Sequence, residues 1–157
     1  MKLKEIAEVI KGVHVLEGNN KTTKAYKELT MLSLEAISFL DERKSITVNV
    51  SDKLSSKQLT KAGDVIVSLY APMIACYVEK GQEGYVVPHY MAIVRMKNPK
   101  KIDSRFIVHF INSTRGRRAL AKTSESFYSS RPTSLPLVTL NEVELLTGLK
   151  NPIIEKF

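Results

Sequence analysis

Basic and hydrogen-bonding side chains crowd into one part of this chain. Residues 112–118 (NSTRGRR) place three arginines beside amide and hydroxyl donors at a predicted helix start. Guanidinium forks and helix N-termini both suit phosphate oxygens. Residues 97–101 (KNPKK) and 124–131 (SESFYSSR) add lysines and further donors, of the types that contact nucleic-acid backbones and base edges. Each cluster alone is also compatible with an ordinary solvated surface, but their crowding favours a binding function.

The net charge of the chain is concentrated in the same region. The 157 residues include 24 Lys and Arg against 16 Asp and Glu, a net charge of +8, and residues 95–131 alone hold ten basic and two acidic residues. A localised cationic segment indicates a polyanionic partner, and we expect a nucleic acid. The three lysines before residue 102 are expected to hold phosphates without sequence preference. The full set of predicted DNA-contacting residues is Lys97, Lys100, Lys101, Arg115, Arg117, Arg118, Lys122, Tyr128, Ser130 and Arg131.

Residues that could catalyse a reaction are few. Cys76 lies within an apolar strand pattern, which predicts a buried structural thiol, and His109 falls inside the apolar stripe of a predicted helix, which predicts a partly buried histidine. A small Cys–His hydrolase is a competing hypothesis that needs His89 within hydrogen-bond reach of a partly exposed Cys76. The sequence has no metal-ligand spacing and no phosphate-binding glycine loop. We therefore expect no catalytic residue, no metal and no cofactor, and a protein that is not an enzyme.

Length and composition indicate an ordinary globular domain. Apolar residues make up 43% and charged residues 25% of the chain, as in soluble domains, and 157 residues suffice for one hydrophobic core. No apolar run approaches the ~20 residues that span a bilayer, and the charged N-terminus lacks a signal-peptide pattern. Cys76 stands alone, which excludes an intramolecular disulfide. We expect a cytoplasmic protein with one domain over residues 1–157 and no membrane association.

The first two-thirds of the chain is predicted to be mostly β-structure. Apolar residues at 3, 6, 7 and 10, followed by Gly12, predict a helix over 3–10. The strict alternation in residues 46–50 (ITVNV) is typical of a half-buried strand. Apolar runs predict strands at 65–70 and 74–78, and one strand, or two broken near Pro88, within 85–96.

The last third is predicted to be mostly helical. Asp103 or Ser104 is placed to cap a helix over 105–112, whose apolar stripe is Phe106, Ile107, Phe110 and Ile111. A second helix is predicted over 115–122, a surface loop over 124–136 and a helical turn over 141–146. Strands followed by helices predict an α+β fold, a single domain with a mixed or antiparallel twisted sheet and a few short helices.

The order of these elements resembles the specificity subunit of type I restriction-modification systems. The resemblance covers roughly residues 2–149, and the Gly63-Asp64 pair with the apolar strand that follows it is the most specific feature. The segments are residues 2–9 (KLKEIAEV), 59–68 (LTKAGDVIVS), 92–95 (AIVR), 106–113 (FIVHFINS) and 135–145 (LPLVTLNEVEL).

The resemblance implies one target recognition domain that reads half of a split DNA site. In that family methylation and cleavage belong to other subunits, so methyltransferase and restriction subunits are implied partners. A full specificity subunit has two such domains separated by long helices, whereas no heptad pattern follows Pro152 here. We therefore expect one recognition domain without the coiled-coil helices. The alternative is a protein-interaction module on the same fold with no DNA sequence specificity, which a large exposed apolar patch would favour.

Overall fold

A five-stranded sheet forms the centre of the molecule. The structure is a computed structural model that describes residues 1–15, 24–51, 54–70, 73–123 and 135–145, with the side chains of 121–123 excepted. Its strands are β1 (Ala7–Lys11), β2 (Lys24–Glu28), β3 (Ser38–Phe39), β4 (Ile46–Val50), β5 (Val65–Ser68), β6 (Ala75–Tyr77) and β7 (Met91–Met96). The central sheet has the order β1-β7-β5-β6-β3, while β2 and β4 form a separate antiparallel ribbon. Only the β3–β6 pair is parallel among these strands.

Four short helices accompany these sheets. They are α1 (Leu3–Ile6), α2 (Arg105–Asn112), α3 (Thr114–Thr123) and α4 (Leu137–Glu142), with 3₁₀ turns at Met31–Leu34, Glu42–Lys44 and Ser56–Gln58. This combination of a mixed sheet and a few short helices confirms the predicted α+β class. The longest helix in the described part of the chain has ten residues, about half the length that a membrane span requires.

The central sheet is covered on both faces. Alternate residues of β5 point to opposite sides, as the period of a strand requires: Val65 and Val67 pack with the four helices, and Ile66 packs on the other side. That other side is covered by the segment from Leu29 to Leu40. The continuous apolar run at residues 65–67 (VIV) is therefore explained by burial on both faces.

Helix α2 lies in the core with the predicted orientation. Phe106, Ile107, Phe110 and Ile111 are all buried, so the predicted apolar stripe is confirmed. His109 is exposed, and the expectation of a partly buried histidine was wrong. One residue corresponds to about 100° around a helix, and position 109 falls on the side of α2 that faces solvent.

Two terminal helices differ from the prediction. The N-terminal helix ends at Ile6, and residues 7–11 instead pair with β7, from Ala7 opposite Met96 to Lys11 opposite Ala92. The apolar spacing suited either structure, but a helix over these residues would leave one edge of the buried strand β7 without hydrogen-bond partners, and pairing with β1 supplies them. The last helix occupies Leu137–Glu142 rather than 141–146, and 143–145 are not helical.

The N-terminus is held against α4. The backbone N–H of Leu3 donates to the carbonyl of Val143 over 3.1 Å. Lys2 and Lys4 form ion pairs with the Glu142 carboxylate at 2.8 and 2.5 Å. These two ammonium groups lower the pKa of Glu142 to about 2. The two ends of the described chain therefore form one layer beneath the sheet.

Candidate nucleic-acid interface

The start of α2 is fixed by the Gly63-Asp64 pair. Gly63 adopts a positive φ of 90°, which favours glycine, and its carbonyl accepts a 2.6 Å hydrogen bond from Ser104 Oγ. The buried Asp64 carboxylate accepts two hydrogen bonds from the Arg95 guanidinium, at 3.0 and 2.8 Å. The pair therefore joins β5 to both β7 and the beginning of α2.

The other end of α2 is fixed by Asn112. Its Oδ1 accepts from the backbone N–H of Ala75, and its Nδ2 donates to the Ala75 carbonyl, both over 2.8 Å. These two bonds satisfy both polar backbone groups of one residue in β6. Helix α2 is thus a rigid platform, tied to the sheet at both ends and buried along one face.

Helix α3 begins directly against the end of α2. Ser113 Oγ donates to the Phe110 carbonyl over 2.6 Å and accepts from the backbone N–H of Gly116 over 3.0 Å. A Cβ atom on Gly116 would lie 1.7 Å from the Phe110 carbonyl oxygen. Only glycine permits this close approach, which sets the direction in which α3 leaves α2.

Three exposed arginines follow from this geometry. Arg115, Arg117 and Arg118, which we name the arginine corner, project from α3, whereas Gly116 and Leu120 are buried. A helical period of 100° per residue spreads the three guanidinium groups around the side of α3 away from the core. Within the described residues none of the three has an ion-pair partner. Their charge is available to a ligand.

The predicted lysines lie at the opposite end of α2. Lys100 and Lys101 are exposed in the turn that leads into the helix, and we name them the lysine turn. The eight residues of α2, about 12 Å of helix, lie between this turn and the arginine corner. Lys97 is also exposed, but its Nζ donates to the Lys4 carbonyl over 2.7 Å. The structure therefore splits the predicted basic residues between two places.

Two other arginines of the basic segment are paired within the chain. Arg95 is bound by Asp64 and also donates to the carbonyls of Lys57 and Leu59, both over 2.9 Å. The Arg105 guanidinium donates hydrogen bonds to the Asp103 carboxylate, and its terminal nitrogen lies 2.5 Å from a carboxylate oxygen. These hydrogen bonds hold the pKa of the Asp103 carboxyl below its usual range. The segment thus presents less free charge than its composition indicates.

Four of the predicted contacts lie wholly or partly outside the described residues. Tyr128, Ser130 and Arg131 fall in 124–134, which the structure does not describe. Lys122 belongs to α3 by its backbone, with no side chain described. The predictions for these residues therefore stay predictions.

One polar surface was missed by the sequence reasoning. The outer face of the β2–β4 ribbon exposes Ala25, Lys27, Thr47 and Asn49. The alternation in β4 was recognised, but its partner KAYKE was not assigned as a strand. The matching alternation in β2, with Tyr26 as its buried residue, was the available signal.

The Cys–His hydrolase hypothesis requires a partly exposed Cys76, and the structure buries this residue. Cys76 has 0% of its surface exposed, and burial raises the pKa of its thiol to about 12. His89 is exposed and contacts the rings of His14 and Tyr90, with centroid separations of 5.3 and 5.4 Å. No group of three or more potential metal ligands occurs among the residues searched, which are those that the structure describes.

Comparison with known proteins gives structural matches without sequence matches. No protein-family model and no curated protein matches this sequence. A chain solved in work on complex assembly and conformational transition of the type I restriction-modification system shares its fold, with a TM-score of 0.70 at 13% identity. The type I restriction-modification S subunit from M. genitalium matches with a TM-score of 0.53 at 14% identity.

These matches cover nearly all of this chain but a minor part of each neighbour. The first covers 99% of this chain and 38% of the neighbour, and the second covers 92% and 33%. The present chain thus spans just over a third of the length of the first neighbour and a third of the second. Its fold is that of one part of a type I restriction-modification specificity subunit, as the order of its sequence elements predicted.

Proposed function

We propose that this chain binds double-stranded DNA in a sequence-specific manner, as a single target recognition domain over residues 1–157. The observation that carries the proposal is the arginine corner, three exposed guanidinium groups without ion pairs in the described chain, on a helix fixed to a buried platform. Planar guanidinium forks bind phosphate oxygens and guanine edges in two-point geometry. A rigid support reduces the entropy lost when they bind.

The lysine turn extends this basic surface towards the start of α2. A distance of about 12 Å along α2 allows the lysine turn and the arginine corner to contact different phosphates of one duplex. Flexible ammonium groups act as point charges and fit any phosphate. Lys97, Lys100, Lys101 and Lys122 supply affinity in this proposal, while Arg131, Tyr128 and Ser130 add contacts from residues 124–134.

The domain is not itself an enzyme in this proposal. Two solved proteins that share its fold come from type I restriction-modification systems, and methyltransferase and restriction subunits are therefore the proposed protein partners. In this proposal the chain selects the DNA site, and its partner subunits act on the DNA there. No metal or cofactor takes part in the binding that we propose.

Salt dependence of DNA binding provides the test. The preferred duplex is first selected from a random pool, and its dissociation constant is then measured from low to moderate salt. With about five phosphates neutralised, log K against log[salt] has an expected slope of −4 to −5. A flat dependence would contradict the proposal, because counterion release necessarily follows from neutralising phosphates.

A second candidate function is supported by exposed apolar residues. Leu32, Ile37 and Phe39 are 52%, 46% and 61% exposed, within eight residues of one another in the chain. Contiguous exposed apolar patches are typical of protein interfaces, and the closeness of these three residues in the sequence makes them candidates for such a patch. If the domain only binds a protein, Phe39→Ser will abolish partner binding, and the preferred duplex will bind no better than a scrambled one.

A further inference from the structure

The β2–β4 ribbon has two chemically different faces. Its inner residues Tyr26, Val48 and Val50 are buried with Val86 in a small hydrophobic cluster. The ribbon is joined to the rest of the molecule through β2, because Val86 N–H donates to the Lys27 carbonyl over 2.8 Å and Leu29 N–H donates to the Val86 carbonyl over 2.9 Å. The inner face thus holds the ribbon in place and leaves the outer face free.

The outer face is a small array of exposed side chains. Lys27 lies opposite Thr47, and Ala25 lies opposite Asn49, in the antiparallel register. All four are exposed, and no side-chain hydrogen bond engages them within the described residues. No carboxylate belongs to this array.

The dimensions of the array fit DNA. Directly opposed Cβ atoms in an antiparallel pair are about 5 Å apart, and positions two residues apart on one strand are separated by about 6.7 Å. The second distance equals two base-pair steps of about 3.4 Å. The major groove, about 12 Å wide, admits a two-stranded ribbon.

The chemistry of the array also fits base edges. An asparagine amide can bond adenine N6 and N7 together, a threonine hydroxyl can donate or accept, and small apolar groups contact the thymine methyl. Lys44 is exposed just before β4, at one end of the ribbon, where a cation would meet a phosphate at the groove wall. Lys24 lies on the inner face with Tyr26, whose ring centre is 5.2 Å from its Nζ, and it takes no part in the outer array.

We infer that the outer face of the β2–β4 ribbon reads DNA bases in the major groove, with Asn49, Thr47 and Lys27 as specificity-determining residues. This inference rests on the proposed DNA-binding function and assigns to the ribbon the sequence discrimination within it. The arginine corner and the lysine turn then hold the backbone.

Single substitutions on the ribbon test the inference. Binding is measured on the selected duplex and on a scrambled duplex of equal length and composition. Asn49→Ala is expected to weaken binding to the selected duplex by about 10- to 100-fold and to the scrambled duplex by less than about twofold, since an exposed amide carries no net charge. Asn49→Thr, which favours strand structure, serves as a second variant in case the alanine variant is unstable. Thermal unfolding of each variant verifies the fold.

Modified DNA identifies the base that Asn49 contacts. Each purine of the selected duplex is replaced in turn by its 7-deaza analogue, which lacks the N7 acceptor. At the purine that Asn49 contacts, the 7-deaza replacement should weaken binding of the wild-type protein but not binding of Asn49→Ala. The DNA replacement and the protein substitution remove the same contact, so their effects should not add.

A lysine pair provides the matched control. Lys27 lies on the outer face, and Lys80 is exposed in a turn outside the ribbon. Lys27→Ala should lower the ratio of selected to scrambled affinity, and Lys80→Ala should leave that ratio unchanged. Unchanged ratios in the Lys27, Thr47 and Asn49 alanine variants would overturn the inference while leaving DNA binding intact. Failure of the wild-type protein to bind any duplex would overturn both the inference and the proposed function.

Discussion

The basic segment contains two kinds of arginine that the sequence does not distinguish. Arg95 has 17% of its side chain exposed and is bound by the buried Asp64 carboxylate. The arginine corner, about twenty residues later, is exposed and without ion pairs among the described residues. The difference arises from the fold: Arg95 lies on β7 next to β5, whereas α3 begins where Ser113 and Gly116 turn the chain away from the core.

This comparison separates positive charge that stabilises the fold from positive charge that can bind. Arg95 uses four of its five N–H donors on a carboxylate and two backbone carbonyls, so it cannot offer a phosphate the two-donor fork that a free arginine presents. An exposed arginine contributes little to folding stability but can exchange its counterions for a polyanion. The number of basic residues in a segment is therefore an upper limit to the number of phosphates that its charges neutralise.

Among the predictions that test this comparison, we expect removal of the Arg95 side chain to have the largest effect, on the free energy of unfolding. Arg95→Ala leaves the Asp64 carboxylate buried without its cation, and breaking a buried pair in this way is strongly destabilising. Allowing for the partial exposure of Arg95, we expect a loss of about 2–4 kcal/mol in the free energy of unfolding. Thermal and urea unfolding measure this loss, and the salt slope of DNA binding by the folded protein should not change.

A double variant sharpens that result. Asp64→Asn removes the unpaired charge, so Arg95→Ala combined with Asp64→Asn should recover part of the stability lost in Arg95→Ala alone. Additive losses from the two substitutions would show that Arg95 and Asp64 do not act as a pair.

The arginine corner gives the opposite expectation, with an effect on binding rather than on folding. Arg117→Ala combined with Arg118→Ala removes two exposed charges and should change the melting temperature little. DNA affinity should fall by roughly 10- to 100-fold, and the salt slope should become shallower by about 2. Lys80→Ala, another exposed cation, is the control. A stability loss comparable to that of Arg95→Ala would contradict the comparison.

The fold was largely predictable where local pattern and tertiary position agree. The alternating strand β4 and the apolar stripe of α2 were recognised because one buried face imposes its period on the sequence. Residues 7–10 were assigned to the wrong structure because their apolar spacing suits a helix, while pairing with β7 decided the outcome. Long-range pairing of this kind leaves no mark within a short window.

The candidate site was predictable only in part. Residue type and spacing identified the arginine corner, because a helix start with several arginines is visible in the sequence. The pairing of Arg95 with Asp64 joins residues 31 positions apart, and the ribbon joins Lys27 to Thr47 across 20 positions. Neither juxtaposition follows from composition, so charge counting included Arg95 and overlooked the ribbon.

The smallest expected effect concerns Arg105, whose pairing is intermediate between the two kinds of arginine. The Arg105 guanidinium lies 2.5 Å from Asp103, and the Arg105 side chain is largely exposed. Asp103→Asn keeps an oxygen for the backbone N–H of Arg105 but removes the charge, so the stability loss should be below about 1 kcal/mol. The freed guanidinium lies four residues after Lys101, and we expect the salt slope to steepen by up to about 1.

The pH dependence of the same pair provides an independent check on Arg105. Because Arg105 lowers the pKa of the Asp103 carboxyl, the carboxylate stays charged at and below its usual pKa. The stabilisation is therefore fully present above that usual pKa and is lost as the pH falls through the lower value in the folded protein. Between about pH 5 and 8 the Asp103 carboxylate therefore stays charged, and its pair with Arg105 should cause no pH-dependent change in the wild-type salt slope. Over the same range the salt slope of Asp103→Asn should be steeper than the wild-type slope by a constant amount. A wild-type slope equal to that of Asp103→Asn would show that Arg105 already binds phosphate beside Asp103, and would place Arg105 with the arginine corner rather than with Arg95.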